Sequence, residues 1–170
     1  MNTKLNRRRF LGTAGKAGLA FTILKAGSAR TYAANEKLNI ASIGAGGRAA
    51  GDIQELSSQN IVALADVDWN RAAGNFKKYP NAKQFKDYRQ MFEKMAPQID
   101  AVIVGTPDHH HFHASMAAIK LGKHVYCEKP LTHSVWEARE LTLAAREAGV
   151  ATQMGNQAQA TEQTRVVQEF

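Results

Sequence analysis

Residues 40–52 read IASIGAGGRAAGD, an apolar run that breaks into four glycines within positions 44–51. Gly44, Gly46 and Ala49 fill a G-x-G-x-x-[GA] spacing, with Gly47 inside it. The run before the loop reads as a strand and the segment from Arg48 as a helix, so the glycines sit where a strand turns into a helix. Each small residue has a task there. Gly44 allows the tight turn, Gly46 lets a pyrophosphate approach the backbone, and Ala49 lets the helix pack close to the strand. The first turn of the helix offers free N–H groups and the positive end of its dipole to phosphate. Asp66 follows a second apolar run, Ile61–Ala65, where a carboxylate can accept both ribose hydroxyls of an adenosine. Asp66 also reads as a helix cap or a surface carboxylate. Its charge opposes a 2′-phosphate, so the sequence favours NAD over NADP. Asp68 reads as the N-cap of the next helix.

Charge is unevenly distributed around this loop. The 170-residue chain carries 22 basic and 15 acidic residues, a net charge of +7. Residues 1–34 hold Lys4, Arg7, Arg8, Arg9, Lys16, Lys25 and Arg30 and no acid, so the remainder is balanced. A basic domain surface, the footprint of a nucleic-acid partner, has no support in such a distribution. The same 34 residues run from a charged start through a modestly apolar middle to a small-residue tail, the layout of an export signal. Ala17–Leu24 is too short to span a bilayer. Arg7 and Arg8 followed by Phe10 and Leu11 resemble the twin-arginine signal, with Asn6 and Gly12 departing from it. The expected partner is the twin-arginine export machinery and the expected location is periplasmic or otherwise extracytoplasmic. A basic tail or uncleaved anchor is the other reading, and cleavage after Ala29 or after Ala33 fits equally. Cys127 is the single cysteine, which excludes an intrachain disulfide framework and suits folding in a reducing cytoplasm before export.

Beyond residue 36 short apolar runs alternate with amphipathic segments, which predicts a doubly wound α/β fold of Rossmann type with a parallel sheet. Strands are expected at Asn39–Ile43, Ile61–Ala65, Ala101–Val104 and His124–Cys127, with weaker ones at Lys83–Phe85 and Ala151–Met154. Helices are expected at Arg48–Leu56, Trp69–Lys78, Tyr88–Lys94, His113–Leu121 and Val135–Ala148, with Gly122 and Gly149 as C-terminal caps. Thr161–Phe170 is helical in pattern and stops without a cap. The organisation read from this is a signal region 1–34, a dinucleotide-binding domain 35–157 and the start of a following region 158–170.

Two motifs in the second half are more specific than the glycine loop. VGTPDHHH at 104–111 ends a strand, and GKHVYCEKPLTHS at 122–134 follows one helix later. Together they resemble the Gfo/Idh/MocA oxidoreductase family, over about Lys37–Gln157. The resemblance implies that Thr106, Pro107 and Asp108 form a loop beside the nicotinamide-side ribose, although asparagine is common where Asp108 stands. It implies that Glu128 and Lys129 lie near the nicotinamide, with Lys129 catalytic or substrate-orienting, and that His111 is structural or close to the cofactor. MGNQ at 154–157 resembles the loop that closes over the nicotinamide end. The family's C-terminal α/β substrate domain has no counterpart in these residues, so the chain is expected to carry mainly the cofactor-binding half.

The chemistry asks for such a lysine on its own terms. Removing hydride from a carbinol carbon requires the hydroxyl proton to leave, and a positioned acid–base group or cation lowers that barrier. A Glu128–Lys129 surface pair is the structural alternative. Lys129–Pro130 is a candidate cis bond. His109, His110, His111 and His113 invite a metal, but no compact set of cysteine or carboxylate ligands accompanies them, and no metal is expected. The function read from the whole is NAD(P)-dependent hydride transfer to or from a sugar, cyclitol or related polyol, with room for a homo-oligomer at full length. An NAD-dependent glycosidase of the same family type and a noncatalytic nucleotide-binding module are the alternatives.

Overall fold

Alternation along the first strand, β1 (Asn39–Ile43), sorts its side chains onto two faces: Ile40 enters one apolar core, Ala41 and Ile43 the other. In the computed structural model, residues 37–157 and 162–168 are described. The twin-arginine segment lies outside them.

The strands β2 (Asn60–Ala65), β3 (Lys83–Phe85), β4 (Ala101–Val104), β5 (His124–Cys127) and β6 (Thr152–Met154) join β1 in one sheet, ordered β3-β2-β1-β4-β5-β6. Every pairing is parallel. Between β1 and β4 the order reverses direction, which opens a crevice at the carboxyl ends of those two strands. Helices α1 (Arg48–Glu55) and α2 (Trp69–Lys78) cover one face, where Ile53, Ala72 and Phe76 meet Ile40, Leu64 and Ile103. Helices α3 (Tyr88–Met95), α4 (His111–Lys120) and α5 (Val135–Ala148) cover the other, where Met91, Ala118, Ile119 and Leu141 meet Ala41, Val102 and Val125. A last helix, α6 (Glu162–Gln168), falls within the segment expected to be helical.

Local chemistry explains the helix ends. Asp68 caps α2 by accepting from the N–H groups of Asn70 and Arg71, as its position predicts. Ser134 and Glu137 form a reciprocal capping box on α5, and Gly149 ends that helix at φ 65°. The expected strands appear with shifts of one residue at most, Ile61–Ala65 gaining Asn60 and Ala151–Met154 losing Ala151. One helix starts earlier than its pattern predicts: α4 begins at His111 rather than His113, behind a 3₁₀ turn at Asp108–His110. His111 is buried and belongs to the helix's core-facing side. No helix among the described residues is long and apolar enough to cross a membrane.

Candidate functional site

Where β1 and β4 end, two glycines let their backbones touch. Gly44 has φ +91°, and a Cβ on it would lie 2.8 Å from the carbonyl oxygen of Gly105. A Cβ on Gly105 would lie 2.6 Å from Cβ of Ala49, so the small residue at position 49 lets α1 reach the end of β4. Gly46 has a different neighbour from the one the sequence suggests. A Cβ there would lie 2.7 Å from both Cγ and the carbonyl oxygen of Arg71, so the loop is pressed onto the first turn of α2. The side chain of Asn75 ties the loop down by donating to the carbonyl oxygen of Ala45 at 2.6 Å.

Asp66 braces the same loop from the end of β2. Its Oδ2 accepts from the N–H groups of Ala45 at 2.8 Å and Gly46 at 3.1 Å, and its Oδ1 accepts from the N–H of Asp68. Oδ2 is thereby filled by two donors, and the remaining acceptor capacity of the carboxylate lies on Oδ1. With the amides of Ala45 and Gly46 occupied, the donors left to an anion are those of the first turn of α1, for which Gly47 supplies no side-chain cap.

These elements frame a cleft of about 630 Å³. Among its lining residues are Gly44, Gly46 and Asp66, together with Thr106 and Pro107 from the loop after β4. Arg48, Arg71, Lys86 and Arg89 also line it, against Asp66, Asp68 and Asp87. Asp87 is held by Arg89 through a 2.7 Å ion pair, and that hydrogen bonding keeps its carboxyl below the ordinary range. Arg71 and Lys86 form no ion pair with the described residues, and Lys86 sits over the ring of Trp69. His109 and His110 complete one wall, and burial lowers the pKa of His110 with help from the neighbouring histidines and Arg89.

Other sequence-predicted residues lie outside this lining. Gly47 and Ala49 are part of the loop and α1, the first exposed and the second buried. Asp108 is turned to its own backbone, accepting from the N–H of His109 at 2.9 Å. His111 is buried, with Nδ1 2.6 Å from the carbonyl oxygen of Pro130 and Nε2 2.8 Å from that of Thr106. It thereby links the loop after β4 to the turn after β5. Lys129 is exposed on that turn, and the Lys129–Pro130 bond is cis.

Glu128 lies at the centre of a polar cluster that sequence reasoning missed. It is buried at the end of β5 and accepts from Nε of Arg48 at 3.1 Å, from the side chain of Gln157 and from the N–H of Lys129. Arg48 also donates through Nη2 to Asp52 at 2.9 Å, so one guanidinium spans two buried carboxylates. Gln157 donates as well to the hydroxyl of Tyr126. Gly155 is needed beside them, because a Cβ there would lie 2.9 Å from Oε1 of Glu128. Burial first, and then the charge of Glu128, push Asp52 up to about 6. Burial acts the same way on Glu128, but the hydrogen bonds from Gln157, Arg48 and Lys129 outweigh it and hold this carboxyl below its ordinary value. The only sequence hints were the i,i+4 spacing of Arg48 and Asp52 and the MGNQ loop that carries Gln157. Among the described residues no group of three or more His, Cys, Asp or Glu could hold a metal ion.

A family model described as an oxidoreductase family with an NAD-binding Rossmann fold matches residues 38–156. A 1,5-anhydro-D-fructose reductase of Ensifer adhaerens is 54% identical over 54 residues, 32% of this chain and 16% of that protein. The D-xylose 1-dehydrogenase (NADP(+)) of Hypocrea jecorina is 36% identical over 101 residues, 58% of this chain and 25% of that protein. The crystal structure of an NAD binding oxidoreductase from Klebsiella pneumoniae superposes with a TM-score of 0.56 at 38% identity, covering 71% of this chain and 34% of that one. The chain thus spans a quarter or less of the length of these two curated relatives.

Proposed function

The chain belongs to the Gfo/Idh/MocA oxidoreductase family, and from that premise we propose that it forms the NAD-binding half of an enzyme that moves hydride to or from a sugar, cyclitol or related polyol. The observation that carries the reading is the convergence of the glycine loop, Asp66 and Thr106–Pro107 on one cleft at the carboxyl ends of β1, β2 and β4.

The residues present fit a dinucleotide. The cleft has the size of a small-molecule site, and it offers α1's opening N–H groups and the side chains of Arg71 and Lys86 to phosphates. Asp66 keeps one acceptor site, on Oδ1, for a ribose hydroxyl while it holds the loop. Its charge disfavours a 2′-phosphate, and NAD is therefore the expected cofactor; the name of the Hypocrea jecorina relative specifies NADP(+), which makes the choice worth measuring. Thr106 and Pro107 form the wall toward the nicotinamide half, with Asp108 and His111 shaping that loop from behind. Bound NAD supplies the hydride acceptor, and its reduced form the donor. Lys129 then acts at the substrate oxygen, taking the hydroxyl proton as the carbonyl forms and returning it in the reverse direction. The substrate names of the two curated relatives, a fructose derivative and a xylose, support a sugar-like substrate for the whole protein.

Export through the twin-arginine route, with an extracytoplasmic location, belongs to the same proposal and rests on Arg7 and Arg8. The direct experiment for the cleft is a pair of calorimetric titrations, one with NAD and one with NADP. Saturable binding with NAD the tighter ligand is expected; absence of binding to both overturns the reading.

A further inference from the structure

The Arg48–Asp52–Glu128 cluster connects two parts of the molecule that the proposed function uses separately. Arg48 is the first residue of α1, immediately after the glycine loop, and Glu128 immediately precedes Lys129. We infer that Arg48 is a positioning residue for Lys129: anchored on Asp52, it holds the carboxylate of Glu128, and that carboxylate holds the peptide N–H of Lys129.

Each link is a direct contact. Nη2 of Arg48 is 2.9 Å from Oδ1 of Asp52 and its Nε is 3.1 Å from Oε1 of Glu128. Oε2 of Glu128 accepts from the N–H of Lys129 at 3.2 Å. The opposite oxygen is also fixed by Gln157, and it sits where a Cβ on residue 155 would lie only 2.9 Å away, so Gly155 makes room for the carboxylate in this position. Burial makes the link exacting, since a carboxylate removed from water is costly unless it is paired and hydrogen-bonded. Among the described residues Arg48 is the one guanidinium that pairs with both carboxylates of the cluster. Without it two like charges face each other in a buried site, and Glu128 is released to seek other partners. The turn bearing Lys129 then loses an acceptor for its N–H. Lysine at position 48 is a partial substitute: its ammonium is a point charge that can approach Glu128 but lacks the fork that spans two carboxylates.

The inference rests on the proposed role of Lys129 for its catalytic meaning, but its test does not. Amide hydrogen exchange is followed by NMR on the full chain in wild type, Arg48→Ala and Arg48→Lys. In Arg48→Ala the N–H of Lys129 is expected to exchange about tenfold faster or more, the effect of losing one ordinary hydrogen bond, while the amides of Val104 and Val125 in the adjoining strands change little. Arg48→Lys is expected to fall between. An unchanged Lys129 amide overturns the inference, and so does a uniform acceleration across the sheet, which marks general destabilisation. If Arg48→Ala does not fold, Arg48→Lys carries the same comparison with the same two overturning results. Titration of the wild type with NAD and NADP keeps the questions apart: absence of binding to both refutes the proposed function, whereas the exchange pattern alone decides the linkage.

Discussion

Oδ2 of Asp66 accepts the amide proton of Gly46 at 3.1 Å, so the carboxylate proposed to receive a ribose is also a brace for the loop proposed to receive phosphates. Asp66→Ala removes the acceptor for three backbone N–H groups, those of Ala45, Gly46 and Asp68. We expect a stability loss of about 1–3 kcal/mol in urea unfolding and a narrower preference for NAD over NADP. Asp66→Asn keeps one acceptor oxygen and is expected to lose less stability. A variant that shifts cofactor preference with no change in stability would mean that the brace contributes nothing.

Gly46 makes a similar double claim. The sequence assigns its missing Cβ to phosphate approach, but the nearest obstacle in the structure is Arg71 at 2.7 Å, including backbone that cannot swing aside. Gly46→Ala is therefore expected to push α2 from the loop and destabilise the chain by about 1–3 kcal/mol, besides weakening NAD binding. Gly74→Ala is the control: a Cβ there meets nothing within 4 Å inside α2, and a gain of up to about 1 kcal/mol is expected. Thermal and denaturant unfolding of the two variants should move in opposite directions.

Asp52 gives stability a pH dependence with a definite sign. Its folded-state value of about 6 lies above the ordinary 3.8, so between those values the native chain binds more protons than the unfolded one. Stability from this group therefore falls as pH rises from about 4 to 6. Glu128 works oppositely but below its ordinary 4.5, and His110, with a lowered pKa, raises stability as pH climbs toward 6.5. Subtracting the unfolding curve of Asp52→Asn from that of wild type isolates the Asp52 part. A difference curve that is flat across pH 4–6, or that rises, contradicts the assignment.

The fold was legible because its signals were local. Ile61–Ala65 and Ala101–Val104 are short apolar runs with helical segments between them, and Asp68 and Gly149 mark helix ends by residue type and place. Half of the cleft was legible for the same reason, since Gly44 and Asp66 stand at fixed distances from strands. The Glu128 cluster was not. Arg48 and Glu128 are 80 residues apart in sequence, and a carboxylate such as Asp52 on a short helix ordinarily faces water. Only the packing of α1 against the ends of β4 and β5 turns Asp52 inward and makes a guanidinium at position 48 necessary. His111 shows the same limit. It was read as structural or close to the cofactor, but no local pattern specified that its two ring nitrogens lie against backbone carbonyls of two different turns.

Lys129 supplies the last prediction. It is exposed on the turn after β5, outside the lining of the cleft, while its backbone is held by Glu128 and the turn by His111. If it serves the substrate oxygen rather than the cofactor, Lys129→Met, which keeps length and loses the charge, should leave the dissociation constant for NAD within about twofold. In a protein that turns over a sugar or polyol, the same change should lower kcat by about 10²–10⁴-fold, the usual contribution of a positioned acid–base group. Calorimetry of NAD binding and steady-state assays at several pH values make the two measurements. Loss of NAD affinity with kcat preserved would place Lys129 among the cofactor contacts and remove it from proton transfer.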